Sequence, residues 1–125
     1  MAAAITTLQG TLAAKVLTDT AVTNSVVANP TSGAATIYHI EFDNTANSAV
    51  TYLKMYEATS VTLGTTQPAL VIKAAASTKE YVSVPMGILM AVGASYIATT
   101  TASNSAGSPA APSTACKLTI LHVPY

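Results

Sequence analysis

The feature that most narrows what this chain can fold into is the period of its apolar residues. Beyond one ambiguous stretch at the N-terminus, hydrophobic side chains do not recur at the 3.6-residue spacing of a helix. Instead they alternate with polar ones in short runs bounded by turn residues. These runs are Lys15 to Thr18, Ala21 to Ala28, Ala35 to Phe42, Val50 to Tyr56, Leu70 to Ala74, Glu80 to Val84, Ile88 to Val92, Ser95 to Thr100 and Ala115 to Val123. Asn29-Pro30-Thr31-Ser32-Gly33 ends the second run with residues that favour tight backbone turns.

The clearest pair is the third and fourth runs. Strict alternation puts Tyr38, Ile40 and Phe42 on one face, with Ile37, His39 and Glu41 on the other. In the next run Leu53 and Met55 share a face opposed to Tyr52, Lys54 and Tyr56. The intervening Asp43-Asn44-Thr45-Ala46-Asn47-Ser48 offers side chains that hydrogen-bond their own backbone. A hairpin is therefore expected from Ile37 to Tyr56, with Tyr38, Ile40, Phe42, Leu53 and Met55 in the core.

Short strands about ten residues apart, without helical layers between them, predict an all-β domain of two packed antiparallel sheets. The expected form is a Greek-key β-sandwich, jelly-roll-like, with an immunoglobulin-like connectivity as the alternative. The Cys-Trp-Cys signature of antibody domains is missing, since the chain has one Cys and no Trp. At 125 residues one domain suffices, taken as residues 15–125. Residues 1–14 carry no charge and read as an extended arm, whose Ile5, Leu8 and Leu12 are candidates for anchoring on a neighbouring subunit. The stretch from Thr99 to Thr114 is low in complexity, and a loop of that length is usually functional or mobile.

Only 8% of residues are charged, against about 25% in ordinary soluble domains, so hydroxyls, amides and methyls must cover the surface. The five lysines, Lys15, Lys54, Lys73, Lys79 and Lys117, are scattered and there is no Arg, which argues against nucleic acid as a partner. Zero formal net charge removes the repulsion that keeps small proteins apart, a handicap for a free monomer and harmless in a fixed assembly. No basic n-region precedes Lys15, and the longest apolar stretch, Val84 to Ala94, is interrupted by Pro85, Gly87 and Gly93. It falls well short of the roughly 20 residues of a membrane helix. The expectation is a protein made in the cytoplasm, with no membrane partner.

No catalytic constellation emerges. Nucleophile elbows, P-loops and HExxH are absent from the sequence. Glu41 and Asp43, with Asn44 and Asn47 nearby, are the one candidate oxygen cluster for a cation; the missing EF-hand spacing favours a solvated strand end and a turn cap. His39 and His122 have no ligand partners at metal spacing and read as strand-face residues. Cys116 occupies an apolar-alternating position and reads as buried and inert. Six tyrosines without Trp suit core or interface packing better than a sugar platform. The reading is of a non-enzyme, with no cofactor and no metal.

Residues 37–100 contain a strand ending in Asp43-Asn44, a Ser/Ala/Asn turn, and the strand Tyr52-Leu53-Lys54-Met55-Tyr56. A link Val61-Thr62-Leu63-Gly64-Thr65-Thr66-Gln67-Pro68 follows, and Lys117 to Leu121 closes the chain after a Gly/Ser/Pro loop. This order of elements resembles a family of small virion proteins of tailed bacteriophages. The resemblance implies a capsid decoration or cement protein, often trimeric, that binds the major capsid protein or other virion subunits. A tail or fibre-base component is one alternative and a cell-surface glycan-binding β-domain another. No functional residue carries over, and the arm before Lys15 is the part least covered.

Overall fold

A computed structural model describes residues 2–7 and 14–125 of the chain. They form eight strands: β1 (Ala3–Thr7), β2 (Lys15–Val22), β3 (Ala35–Asp43), β4 (Thr51–Glu57), β5 (Leu70–Ala74), β6 (Lys79–Met90), β7 (Ala94–Thr99) and β8 (Cys116–Pro124). Five make one antiparallel sheet in the order β1-β2-β8-β3-β6, and three make a second in the order β5-β4-β7. The two pack face to face as a β-sandwich, as the alternation implied.

The core lies between the sheets. Leu17, Ile37, Ile40, Phe42, Leu118 and Ile120 from the larger sheet meet Leu53, Met55, Ile72, Tyr96 and Ala98 from the smaller. Burying each large apolar side chain contributes about 1.5–3 kcal/mol relative to exposure. One polar contact spans the sandwich: the Tyr96 hydroxyl donates to Asp19 Oδ2 at 2.8 Å, and both side chains are buried. The Ala21 amide supplies a donor to Asp19 Oδ1 at 3.0 Å. Burial and the adjacent carboxylate push the Tyr96 phenol far above its ordinary pKa, so it remains a donor.

Four sequence expectations are corrected. First, β3 and β4 are not a hairpin: they lie in different sheets, and residues 44–50 carry the chain across the sandwich. Second, Tyr38 is not in the core. The register breaks between Ile37 and His39, so Ile37 is buried and Tyr38 turns outward. Opposite this break β6 arches out at Val84-Pro85-Met86-Gly87, since Ile37 pairs with Ile88 while His39 pairs with Ser83. The arch joins into one strand the two runs expected on either side of Pro85. Gly87 sits there at φ 79°, and a Cβ would run into Thr36 Cγ2 and the Tyr38 ring.

The third correction concerns the arm. Ala3–Thr7 do have a strand partner, since they pair antiparallel with β2 and set Ile5 across from Leu17. Leu8 and Leu12 lie outside the described residues. Fourth, β2 ends at Val22, and the expected run to Ala28 instead crosses to the smaller sheet, where Val27 bridges Tyr96.

Candidate functional site

The two sheets differ in what lies on their outer sides. On β4, Leu53 and Met55 point to the core, so Lys54 and Tyr56 point away from it. Yet Lys54 is only 1% exposed and Tyr56 2%. The cover is the stretch expected to be functional or mobile. Lys54 Nζ donates to the carbonyl of Ser103, Thr99 Oγ1 donates to the Ala110 carbonyl at 2.6 Å, and the Thr100 amide bonds the same oxygen at 3.1 Å. Pro109 and Pro112 are buried, and the Pro109 carbonyl accepts from Asn24 Nδ2 at 2.9 Å. Gly64 in the β4–β5 link approaches so closely that a Cβ on it would lie 3.1 Å from Gly107 Cα. Burial pushes the Lys54 amine below its ordinary pKa and the Tyr56 phenol above its own.

No described strand lies over the outer face of the five-stranded sheet. The paired register resolves it into rows. Lys79, Asp43 and Lys117 form the row at one end, followed by Tyr81, Glu41, Thr119 and Thr18. Next come Ser83, His39, Leu121 and Val16, then Tyr38 at the bulge, then Leu89, Thr36 and Val123. The face therefore grades from charged and hydroxyl-bearing at one end to apolar at the other.

At the polar end a cleft of about 330 Å³ is lined by Thr18, Thr20, Glu41, Asp43, Lys79, Lys117 and Thr119, among others. Lys79 Nζ lies 3.2 Å from Glu41 Oε1 and 3.9 Å from Asp43 Oδ2. Burial acts to raise the Asp43 pKa, but donation from the Thr45 hydroxyl (2.5 Å) and amide (2.9 Å), with Lys79 and Lys117 nearby, holds it below the ordinary value. Hydrogen bonding to Glu41 raises that of Lys79. On the outward face the two carboxylates, Glu41 and Asp43, balance the two ammonium groups; Asp19 also lines the cleft but is turned inward and accepts from Tyr96.

At the apolar end Ala14, Tyr38, Leu121 and Val123 line a groove of about 380 Å³. Met86 on the arch is 91% exposed and Leu89 45%. Between the two ends His39 Nδ1 is 2.7 Å from Ser83 Oγ, and its ring lies 6.2 Å from that of Tyr81. Glu41, the acid on the same face, is held by Lys79.

The sequence candidates are distributed differently from their spacing. Glu41 and Asp43 do share a face, but Asn44 and Asn47 are buried away from them. Asn44 Nδ2 donates to the carbonyls of Ala49 and Ala75, and Asn47 bonds Asn44 Oδ1 and both the carbonyl and amide of Thr114. They lock three loops together. Among the described residues no three of His, Cys, Asp and Glu converge as metal ligands. Cys116 packs against those asparagines with its thiol pushed up to about 11, chiefly by burial. His122 is on the core side of β8, buried, with Nδ1 unpartnered.

Sequence reasoning did not single out Val16, Thr18, Lys117, Thr119, Leu121 or Val123. The usable signal was alternation in the last strand: Cys116, Leu118, Ile120 and His122 turn inward, so the residues between them form the outer face. No protein-family model, curated protein or solved structure matches the chain.

Proposed function

We propose that this protein is a structural component of a virion, a capsid decoration or cement protein whose five-stranded sheet lies against other virion subunits. The observation that carries the reading is the open outer face of that sheet. It is neutral, rich in Thr and apolar side chains, and covered by no described strand, whereas the opposite outer face is roofed over β4 and β7 by the loop between β7 and β8. Such a surface suits a fixed neighbour, because it packs without charge repulsion and buries hydroxyls and methyls. With the edge strand β1 set aside and the segment at Val27 counted as a strand between β2 and β3, the order is β2-β8-β3-β6 in one sheet and Val27-β7-β4-β5 in the other. We read that order as a jelly roll, an architecture used by viral capsid domains among others. A fold hosts many functions, so the weight of the proposal rests on the surface and on the resemblance of residues 37–100.

Mass spectrometry of purified particles against cell-surface fractions tests the location: the chain should enrich with particles, and enrichment at the cell surface would replace this reading with the glycan-binding one. Particles stripped of the protein and reloaded test the surface. Retention should be unchanged between about 0.1 M and about 1 M salt, over which the screening length falls from roughly 10 Å to about 3 Å. Leu121→Asp should lower it sharply. Steep salt dependence, or full retention of Leu121→Asp, would exclude this face as the contact.

A further inference from the structure

The two edges of the five-stranded sheet are built differently. β6 carries Pro85, a four-residue arch, and Lys79 and Glu80 at its start, all devices that keep an edge from accepting another strand. β1, Ala3–Thr7, has no charge, no Pro and an unbroken register with β2. Among the described strands it pairs with β2 alone, so alternate residues along its outer side present backbone donors and acceptors with no strand to receive them. Ile5 faces the same way as its partner Leu17, yet Leu17 is fully buried while Ile5 is 40% exposed.

We propose that β1 is a dimerisation edge, at which two copies of the chain pair β1 to β1, antiparallel, about a two-fold axis through Ile5. The strand is its own complement. In that register Ala3 meets Thr7, Ala4 meets Thr6 and Ile5 meets its own copy, so no charge is opposed anywhere. The two Ile5 side chains, with Cβ atoms about 4.5–5.5 Å apart, cover each other's exposed surface. Zero formal net charge leaves nothing to hold the copies apart at long range. Pairing of β1 with β6 of another copy is obstructed by the arch and Pro85, so head-to-tail growth is disfavoured and the closed two-fold arrangement remains. The product is a dimer, in place of the trimer implied by the phage resemblance, and the inference stands whether or not the partner lattice is a capsid.

Sedimentation equilibrium of the full chain, from low micromolar concentration to the solubility limit, reads the association directly. The wild-type chain should show a monomer–dimer equilibrium. Ile5→Lys, which opposes two ammonium groups across the axis, should weaken it about tenfold or more while the melting curve confirms a folded protein. Ile5→Cys supplies a gain-of-signal arm. Directly opposed residues have Cα atoms roughly 4.5 to 5.5 Å apart, within reach of a disulfide. This variant should cross-link rapidly under mild oxidant, and Val71→Cys on the edge strand β5 of the other sheet should not. Cys116 is buried and silent in both. A wild-type chain monomeric throughout, equal dimerisation by Ile5→Lys, or cross-linking of Ile5→Cys no faster than Val71→Cys would each overturn the proposal.

Discussion

The outer faces of the two sheets are opposites made from the same materials. Both mix hydroxyl-bearing, aromatic and aliphatic side chains with two lysines each, Lys54 and Lys73 on one and Lys79 and Lys117 on the other. On β4 and β7 the outward row of Lys54 and Ile97 is buried, because the chain folds a Pro/Ser/Ala-rich loop back over it and satisfies the ammonium with a backbone carbonyl. On β3 and β8 the outward row of Glu41 and Thr119 stays partly exposed. Composition alone therefore does not decide which strand face is interior. What decides it is whether the next loop has enough length, small residues and free carbonyls to lie flat on the sheet.

The largest effect should come from the region that both sheets share. Phe42 is fully buried between them, and Phe42→Ala removes a ring that neither face can replace. A loss of about 3–5 kcal/mol in urea unfolding is expected. A much smaller loss would mean that the sandwich interior closes over the gap and that the contrast between its outer faces has been drawn around too loose a core.

The second test addresses the contrast itself. Lys54→Ala takes away both the stem packed under the loop and the ammonium that ties the loop to the sheet through Ser103; about 1–3 kcal/mol should be lost. Lys54→Met keeps the packed stem and should recover part of that loss. Leu121→Ala, on the open face, should cost less than about 1 kcal/mol, because its side chain is already partly in water. If the two alanine variants lose equal stability, the faces are energetically alike and the roof is only a geometric feature.

These contrasts mark where the sequence was informative. Alternation placed Leu53 and Met55 inside, Cys116 in a buried row and the bounds of β5 at Leu70 and Ala74, because burial on one face of a strand leaves a direct period-2 trace. Alternation misplaces Tyr38 because a bulge adds one residue to β3 and inverts the faces beyond it; the break is set by pairing with both β6 and β8, strands distant in sequence. The hairpin was misread because Asp43 to Ser48 has the turn chemistry of either a hairpin or a crossover, and only long-range pairing of β3 with β6 and β8 selects the second. The open face was visible in the alternation of β8. The roof was not, since Lys54 gives no local sign that a carbonyl from Ser103 will reach it.

A pH test separates the core side of β8 from its open side. Burial pushes the His122 pKa below 6.5, with the Lys15 charge adding to the shift. The unfolded chain therefore binds a proton at higher pH than the folded one. The contribution of His122 to stability is fully present above its unfolded value and declines as pH falls below about 6.5 toward the folded value. Melting temperature should drop between neutral pH and mild acid, and His122→Leu should flatten that slope, since Nδ1 has no partner to lose. An unchanged slope in the variant would assign the acid sensitivity to another group. Asp43, whose pKa is lowered, adds its own loss only at lower pH, as the solution passes through its folded value.

The smallest effect should be on the open face, and there the size is itself informative. Lys117 flanks Asp43 on the side opposite Lys79, in a row that solvent reaches. Even an exposed ion pair contributes only about 0–1 kcal/mol, and an unpaired lysine near a carboxylate no more, because water screens the attraction. Lys117→Gln should therefore shift unfolding by less than about 0.5 kcal/mol. It should also raise the Asp43 pKa slightly, by removing one of the charges that holds it down, which a carboxyl titration followed by NMR would detect. A loss of several kcal/mol would mean that the row is enclosed in the folded chain as Lys54 is, by a segment lying across this sheet. The face could not then be the surface offered to a neighbouring subunit. A change within experimental error, together with the shifted carboxyl titration, would leave Lys117 as a solvated side chain and the five-stranded sheet as the side of the sandwich still free to bind.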